Sequence, residues 1–134
     1  MRLSTKSHYG LNACYYLAAE YGRDAGEGMP LKRLAAMSGI SEPYLEQIIL
    51  LLKKAGIIFS RRGASGGYRL AKPPSEILVG EVIRALEDNL EIVGCRTSVC
   101  DCAAGINCKT KAVWSKVYDA INDTLDGIRL NELI

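Results

Sequence analysis

Residues 31–72 read LKRLAAMSGISEPYLEQIILLLKKAGIIFSRRGASGGYRLAK. Leu31, Leu34 and Ala35 fall at i, i+3 and i+4, the inner face of a short helix that opens at Pro30 or Leu31. Gly39 stops that helix, because glycine enters the left-handed conformation of a helix end at no steric cost. Ile40 plugs the turn, and Ser41 caps the next helix. Glu42 and Pro43 then occupy its first turn, where an acid and a proline both fit. Leu45, Ile48, Ile49 and Leu52 follow at i, i+3, i+4 and i+7, the cleanest amphipathic pattern in the chain, and Gly56 ends it.

The opposite face of this helix carries Pro43, Tyr44, Glu46, Gln47, Lys53 and Lys54. A glutamine can pair with adenine in the major groove, and a glutamate can accept from the cytosine amino group. A solvated polar face would use the same residues. Two neighbours distinguish the readings: the three-residue turn before the helix and a basic hairpin after it. The hairpin is residues 57–61, a tip Arg62-Gly63-Ala64-Ser65-Gly66-Gly67, and residues 68–70. Its glycines supply the positive φ of a turn, and Arg62 sits where a wing touches phosphates or enters the minor groove. No Lys-Ser/Thr pair and no helix follow directly, so the tip is not a P-loop. The expected fold is mainly α with a small β-hairpin wing, a winged helix-turn-helix that binds double-stranded DNA.

Charge agrees. Residues 1–72 carry 11 Lys/Arg against 5 Asp/Glu, whereas residues 73–134 carry 6 against 10. Such a split within a chain of net charge +2 points to a polyanion partner for the first part, although a solvated basic face would give the same count. No run of 18 apolar residues is present, so no membrane partner is expected. The opening MRLSTKSHYG lacks the apolar core of a signal peptide, which makes the cytoplasm the expected compartment.

Around this stretch, Ser4 can cap a first helix reaching about residue 21, with Tyr9, Ala13, Cys14, Leu17, Ala18 and Tyr21 on one stripe. Residues 22–28 hold three glycines and read as an exposed loop. Pro73 and Pro74 close the DNA-binding domain, residues 1–74. Residues 75–134 are expected to form a second unit. In it, a short helix over 79–88 turns Val82, Ile83 and Leu86 inward, and a cysteine loop spans 94–108. A long helix over about 109–127 follows, with Val113, Val117, Ile121 and Leu125 in its stripe and Trp114, Ala120 and Ile128 beside them. That stripe suits either the body of the chain or a second copy of the same helix in a two-fold homodimer.

Cys95, Cys100, Cys102 and Cys108 are separated by four, one and five residues, while Cys14 reads as a buried small hydrophobe. In an intracellular chain a cysteine cluster indicates metal or redox chemistry before disulfides. Thiolates suit zinc or iron–sulfur clusters, but the paired CxxC knuckles of structural zinc are absent. A thiol oxidoreductase would need a base or a resolving cysteine, and neither a CxxC nor a histidine stands near the loop, so an enzyme is not expected.

Several segments together resemble the IscR/NsrR/CymR family of winged helix-turn-helix transcription regulators, over nearly the full length. They are MRLSTKSHYGLNA, GISEPYLEQI, RRGASGGYRLAKP, VGEVIRALE and CKTKAVW. The resemblance implies a homodimer on a pseudo-palindromic DNA operator. Its implied DNA contacts are Arg2, Lys6, Tyr44, Glu46, Gln47, Lys53, Arg61, Arg62, Ser65, Gly66 and Tyr68. Glu46 and Gln47 would read the major groove and Arg62 the minor groove. Pro43 stands where the iron–sulfur branch of the family has a serine contact. The resemblance further implies a [2Fe–2S] cluster held by Cys95, Cys102 and Cys108, with one extra residue before Cys102. The family's histidine ligand, three residues after the last cysteine, is Lys111 here. An ammonium has no lone pair for iron, so the fourth ligand is left among Cys100, Asp101, a residue of the partner subunit and an exogenous thiol. A metal-free regulator governed by a partner protein or thiol oxidation is the alternative within the same family.

Overall fold

The computed structural model describes residues 3–23, 27–64, 66–88, 90 and 109–134. Helix α1 spans Thr5–Ala19, α2 Leu31–Ser38 and α3 Glu42–Lys54. Strands β1 (Ile58–Arg61) and β2 (Gly67–Leu70) pair antiparallel, with Ile58 opposite Leu70 and Arg61 opposite Gly67. A 3-10 turn at Pro74–Glu76, helix α4 (Val79–Leu86), helix α5 (Lys111–Asp126) and a 3-10 turn at Leu130–Leu133 follow. The architecture is the expected one, helical with a two-stranded wing.

Helix α3 forms the centre of the core. Leu45, Ile48, Ile49 and Leu52 are all buried, and each contributes roughly 1.5–3 kcal/mol by leaving water. Around them pack Ala13, Cys14 and Leu17 of α1, Leu34 and Ala35 of α2, Val82 and Leu86 of α4, and Ile57, Ile58 and Leu70 at the base of the wing. Gly39 adopts φ 70°, and the Ser41 hydroxyl accepts from the Tyr44 N–H at 3.4 Å, so the helix-turn-helix punctuation is built as its residues dictate.

Two local expectations differ. Ser4 occupies the N-cap position of α1, but its hydroxyl makes no cap bond. Tyr21 falls beyond the end of α1 and is exposed, while Ser7 and Gly10 take places on the inner face. Gly10 permits close approach of α4, since a Cβ there would strike the Leu86 side chain. Just beyond the expected loop, Met29 forms a β-bridge to Tyr68 and so flanks β2.

The end of the chain returns to the start of α4. Leu130 N–H donates to the Ile77 carbonyl and Val79 N–H to the Ile128 carbonyl, both at 2.9 Å. Leu130 is wholly buried in the main core. Helix α5 has no buried residue. It rests on a small second cluster, Val79, Ile83 and Leu90, through Tyr118, Leu125 and Ile128. Arg84 of α4 holds it from the side, donating to Asn122 Oδ1 at 3.0 Å and to the Asp126 carboxylate.

Candidate nucleic-acid interface

The outward face of α3 exposes Glu42, Pro43, Glu46, Gln47, Lys53 and Lys54. Glu46 and Gln47 lie one turn in from the helix N-terminus, the part of a recognition helix that reaches base edges. Tyr44 is half-buried and turned toward α1. Its ring meets Tyr9 edge to face at 6.1 Å, and its hydroxyl donates to Thr5 Oγ1 at 3.4 Å. Tyr44 therefore fixes the first turn of α3 against the first turns of α1.

At the other end of α3, Lys53 Nζ donates to Ser60 Oγ at 3.1 Å. This ties the helix to β1 and sets the wing relative to the recognition face. Arg61, Arg62, Gly63 and Ala64 are exposed at the wing. The tip closes with the Gly66 N–H donating to the Gly63 carbonyl at 2.9 Å. A Cβ at Gly66 would run into the Arg61 carbonyl and lie 2.7 Å from that of Gly63, so only glycine fits. Gly67 has φ 152° and lies against the Met29 carbonyl. Tyr68 exchanges both backbone hydrogen bonds with Met29, at 3.0 and 2.8 Å, and packs its ring on the core. Gly66 and Tyr68 thus build the wing, while Arg62 is presented by it. Lys6 is half-buried on α1. Arg2 and Ser65 lie outside the described residues.

One group escaped the reading of the sequence. Glu87, the residue that ends α4, accepts from the N–H and the hydroxyl of Ser4, both at 2.7 Å, and from the Ser7 hydroxyl. Burial would raise its pKa, but the hydrogen bonds from Ser7 and Ser4 and the charge of Lys6 outweigh that and hold it below the usual glutamate range. Glu81 is likewise lowered, chiefly by the Leu78 N–H it accepts at 2.8 Å; burial opposes this, and Lys72 at 3.3 Å adds to it. A pair of serines three apart at a helix start was the available signal, and it reads equally as ordinary capping.

Cys95, Cys100, Cys102 and Cys108 lie outside the described residues. Helix α5 begins at Lys111, three residues after Cys108 in the sequence. Cys14 is excluded from any ligand set: it is fully buried beneath α3, and desolvation pushes its thiol up to about 12. Among the described residues no group of three His, Cys, Asp or Glu side chains is placed to hold a metal ion. No helix among them is long and apolar enough to cross a membrane.

Comparison with known proteins bears on these features. The family model Rrf2, described as an iron-dependent transcriptional regulator, matches residues 3–134. The chain is 38% identical over 135 residues to the HTH-type transcriptional regulator IscR of Aliivibrio salmonicida, covering all of this chain and 77% of that protein. Its fold is similar to that of T. potens IscR, with a TM-score of 0.78 and 41% identity over 99% of this chain and 85% of the other. It is also similar to CymR, the global cysteine regulator of B. subtilis, with a TM-score of 0.81 and 34% identity over 99% and 95%. With a full-length match to the model and a recognition helix and wing built as described, the chain belongs to the Rrf2 family of transcriptional regulators.

Proposed function

We propose that the chain acts in the cytoplasm as a homodimer on a pseudo-palindromic DNA operator, and that a [2Fe–2S] cluster sets its affinity or sequence choice. The observation that carries the DNA reading is the pairing of α3 with the wing. Glu46 and Gln47 are exposed on one element and Arg62 on the other, and the Lys53–Ser60 hydrogen bond joins the two. Residues 1–74 would supply this surface and residues 75–134 the sensor and the dimer contact. Across a two-fold axis, two recognition helices would enter major grooves one helical turn apart, with Arg62 in the flanking minor groove.

The cluster is supported by the chemistry of the donors. Cys95, Cys102 and Cys108 would supply three thiolates, soft donors of the kind that hold iron–sulfur clusters. When bound, the cluster supplies a centre responsive to iron, oxygen or nitric oxide. The fourth ligand remains among Cys100, Asp101, a residue of the partner subunit and an exogenous thiol. A specific observation also favours the metal-free alternative: Lys111 replaces a ligand, and the fold is as similar to CymR as to IscR. Replacing Cys95, Cys102 and Cys108 with alanine separates the two. The cluster reading expects operator affinity or sequence choice to differ between the iron-loaded protein and the triple variant. Regulation by a partner or an oxidant at other groups expects iron content to be irrelevant and the two to bind alike.

A further inference from the structure

One apolar side chain stands in the middle of the outward face of α3. Leu50 is 54% exposed and packs into neither hydrophobic cluster, whereas its neighbour Leu51 lies against the main core. Helix α3 packs on α1, α2, α4 and β1, and Leu50 points away from the core they share. It falls four residues after Glu46 and three after Gln47, so the three side chains form one stripe at helical spacing. Lys53 and Lys54 continue that stripe at three and four residues further on, and both are exposed. A single exposed leucine is ordinary on a general surface. On a helix face whose other groups suit DNA it has a specific use.

We propose that Leu50 is a specificity-determining residue, whose side chain packs on the 5-methyl group of a thymine beside the base pair read by Gln47. That methyl is the apolar group a base edge offers in the major groove, and it distinguishes thymine from cytosine without a hydrogen bond. The spacing fits. Three residues advance a helix by about 4.5 Å, and neighbouring base pairs are stacked about 3.4 Å apart. The charge around Leu50 selects the occupant. Lys53 donates to Ser60 of the wing at 3.1 Å, Lys54 lies beside it, and Arg62 is exposed beyond. This positive rim suits phosphates on either side of a groove and disfavours an apolar protein partner. The inference rests on the reading that α3 lies in the major groove, and it adds a required thymine to that reading.

The test begins with an operator selected by the full chain from a pool of random duplexes. Each thymine of one half-site is then replaced in turn by deoxyuridine, which removes the methyl group and keeps every hydrogen-bonding atom. At one position the unsubstituted protein should bind roughly fourfold more weakly, the worth of one buried methyl. Leu50→Ala, cut back to Cβ, should bind the thymine operator at least that much more weakly and should distinguish the two duplexes by less than about twofold. Because Leu50 lies outside the core, the variant should keep the circular dichroism of the unsubstituted protein. Leu50→Met retains an apolar tip and should preserve the discrimination, which gives a second variant to measure. If no duplex is selected, the DNA reading itself fails and the inference with it. Selective binding that is indifferent to deoxyuridine at every position overturns the inference alone. So does discrimination that persists in Leu50→Ala, since another group then reads the methyl. A Leu50→Ala protein with unchanged operator affinity would show that Leu50 faces something other than DNA, a protein partner included, and would overturn it too.

Discussion

On the proposed reading, Arg62 and Gln47 would divide the work of DNA recognition between them. Arg62 is exposed at the wing, where it would serve phosphates or the minor groove. Arg62→Ala should weaken operator and non-operator DNA alike and reduce the slope of log affinity against log salt by about one. Gln47→Ala should instead relax preference at one base pair, costing about 1–3 kcal/mol there and leaving the salt slope unchanged. Anisotropy titrations across salt concentrations, on operator and single-site variants, read both. Glu87 and Glu81 belong to stability. Their folded pKa values lie below those of a free glutamate, so the ionised forms favour the folded state. That contribution is complete above the ordinary value of about 4.3 and is lost as pH falls through the lower folded values. Urea midpoints should therefore drop on acidification below that value, and Glu87→Gln should flatten the drop. A midpoint insensitive to pH below about 4.3 would count against an ionised Glu87 held by Ser4 and Ser7.

At the level of elements, α3 and its turn were legible in residues 31–56 because every cue agreed: periodicity, a left-handed glycine, a capping serine and an early proline. The hairpin was legible from its glycines. Its support was not. A single bridge between Met29 and Tyr68 has no period for a sequence to show, and Gly28 needs contact with Gly67 to explain it. The same holds for Ser4, whose sequence context says cap while its partner lies 83 residues away in Glu87. Gly67→Ala tests the support. A Cβ would meet the Met29 carbonyl, and φ 152° disfavours a side chain. The variant should keep its helical circular dichroism, because the core sits on α3, yet lose much of its DNA affinity through a displaced wing. Full affinity in this variant would show that the wing need not dock on Met29.

For the molecule as a whole, α5 is the element with least cover. Val113 is 55% exposed, Trp114 and Val117 are each 37%, and Leu3 joins Val117, Ala120, Ile121 and Leu125 along one apolar groove. The sequence showed the stripe but could not say how much of it the body covers. The structure assigns Tyr118, Leu125 and Ile128 to the body and leaves Val113 and Val117 outward. If the outward part meets a second copy, Val117→Glu should shift sedimentation from dimer to monomer and weaken operator binding. Wild-type protein sedimenting as a monomer at micromolar concentration would remove the basis for a two-fold operator.

Control by the cysteine loop is tested most directly by the visible absorption spectrum of anaerobically purified protein, taken with iron and sulfide content before and after reconstitution. A [2Fe–2S] regulator should be coloured, with about two iron and two sulfide per chain, and should lose both in the Cys95/Cys102/Cys108 alanine variant. A colourless protein that resists reconstitution while still binding its operator would contradict it.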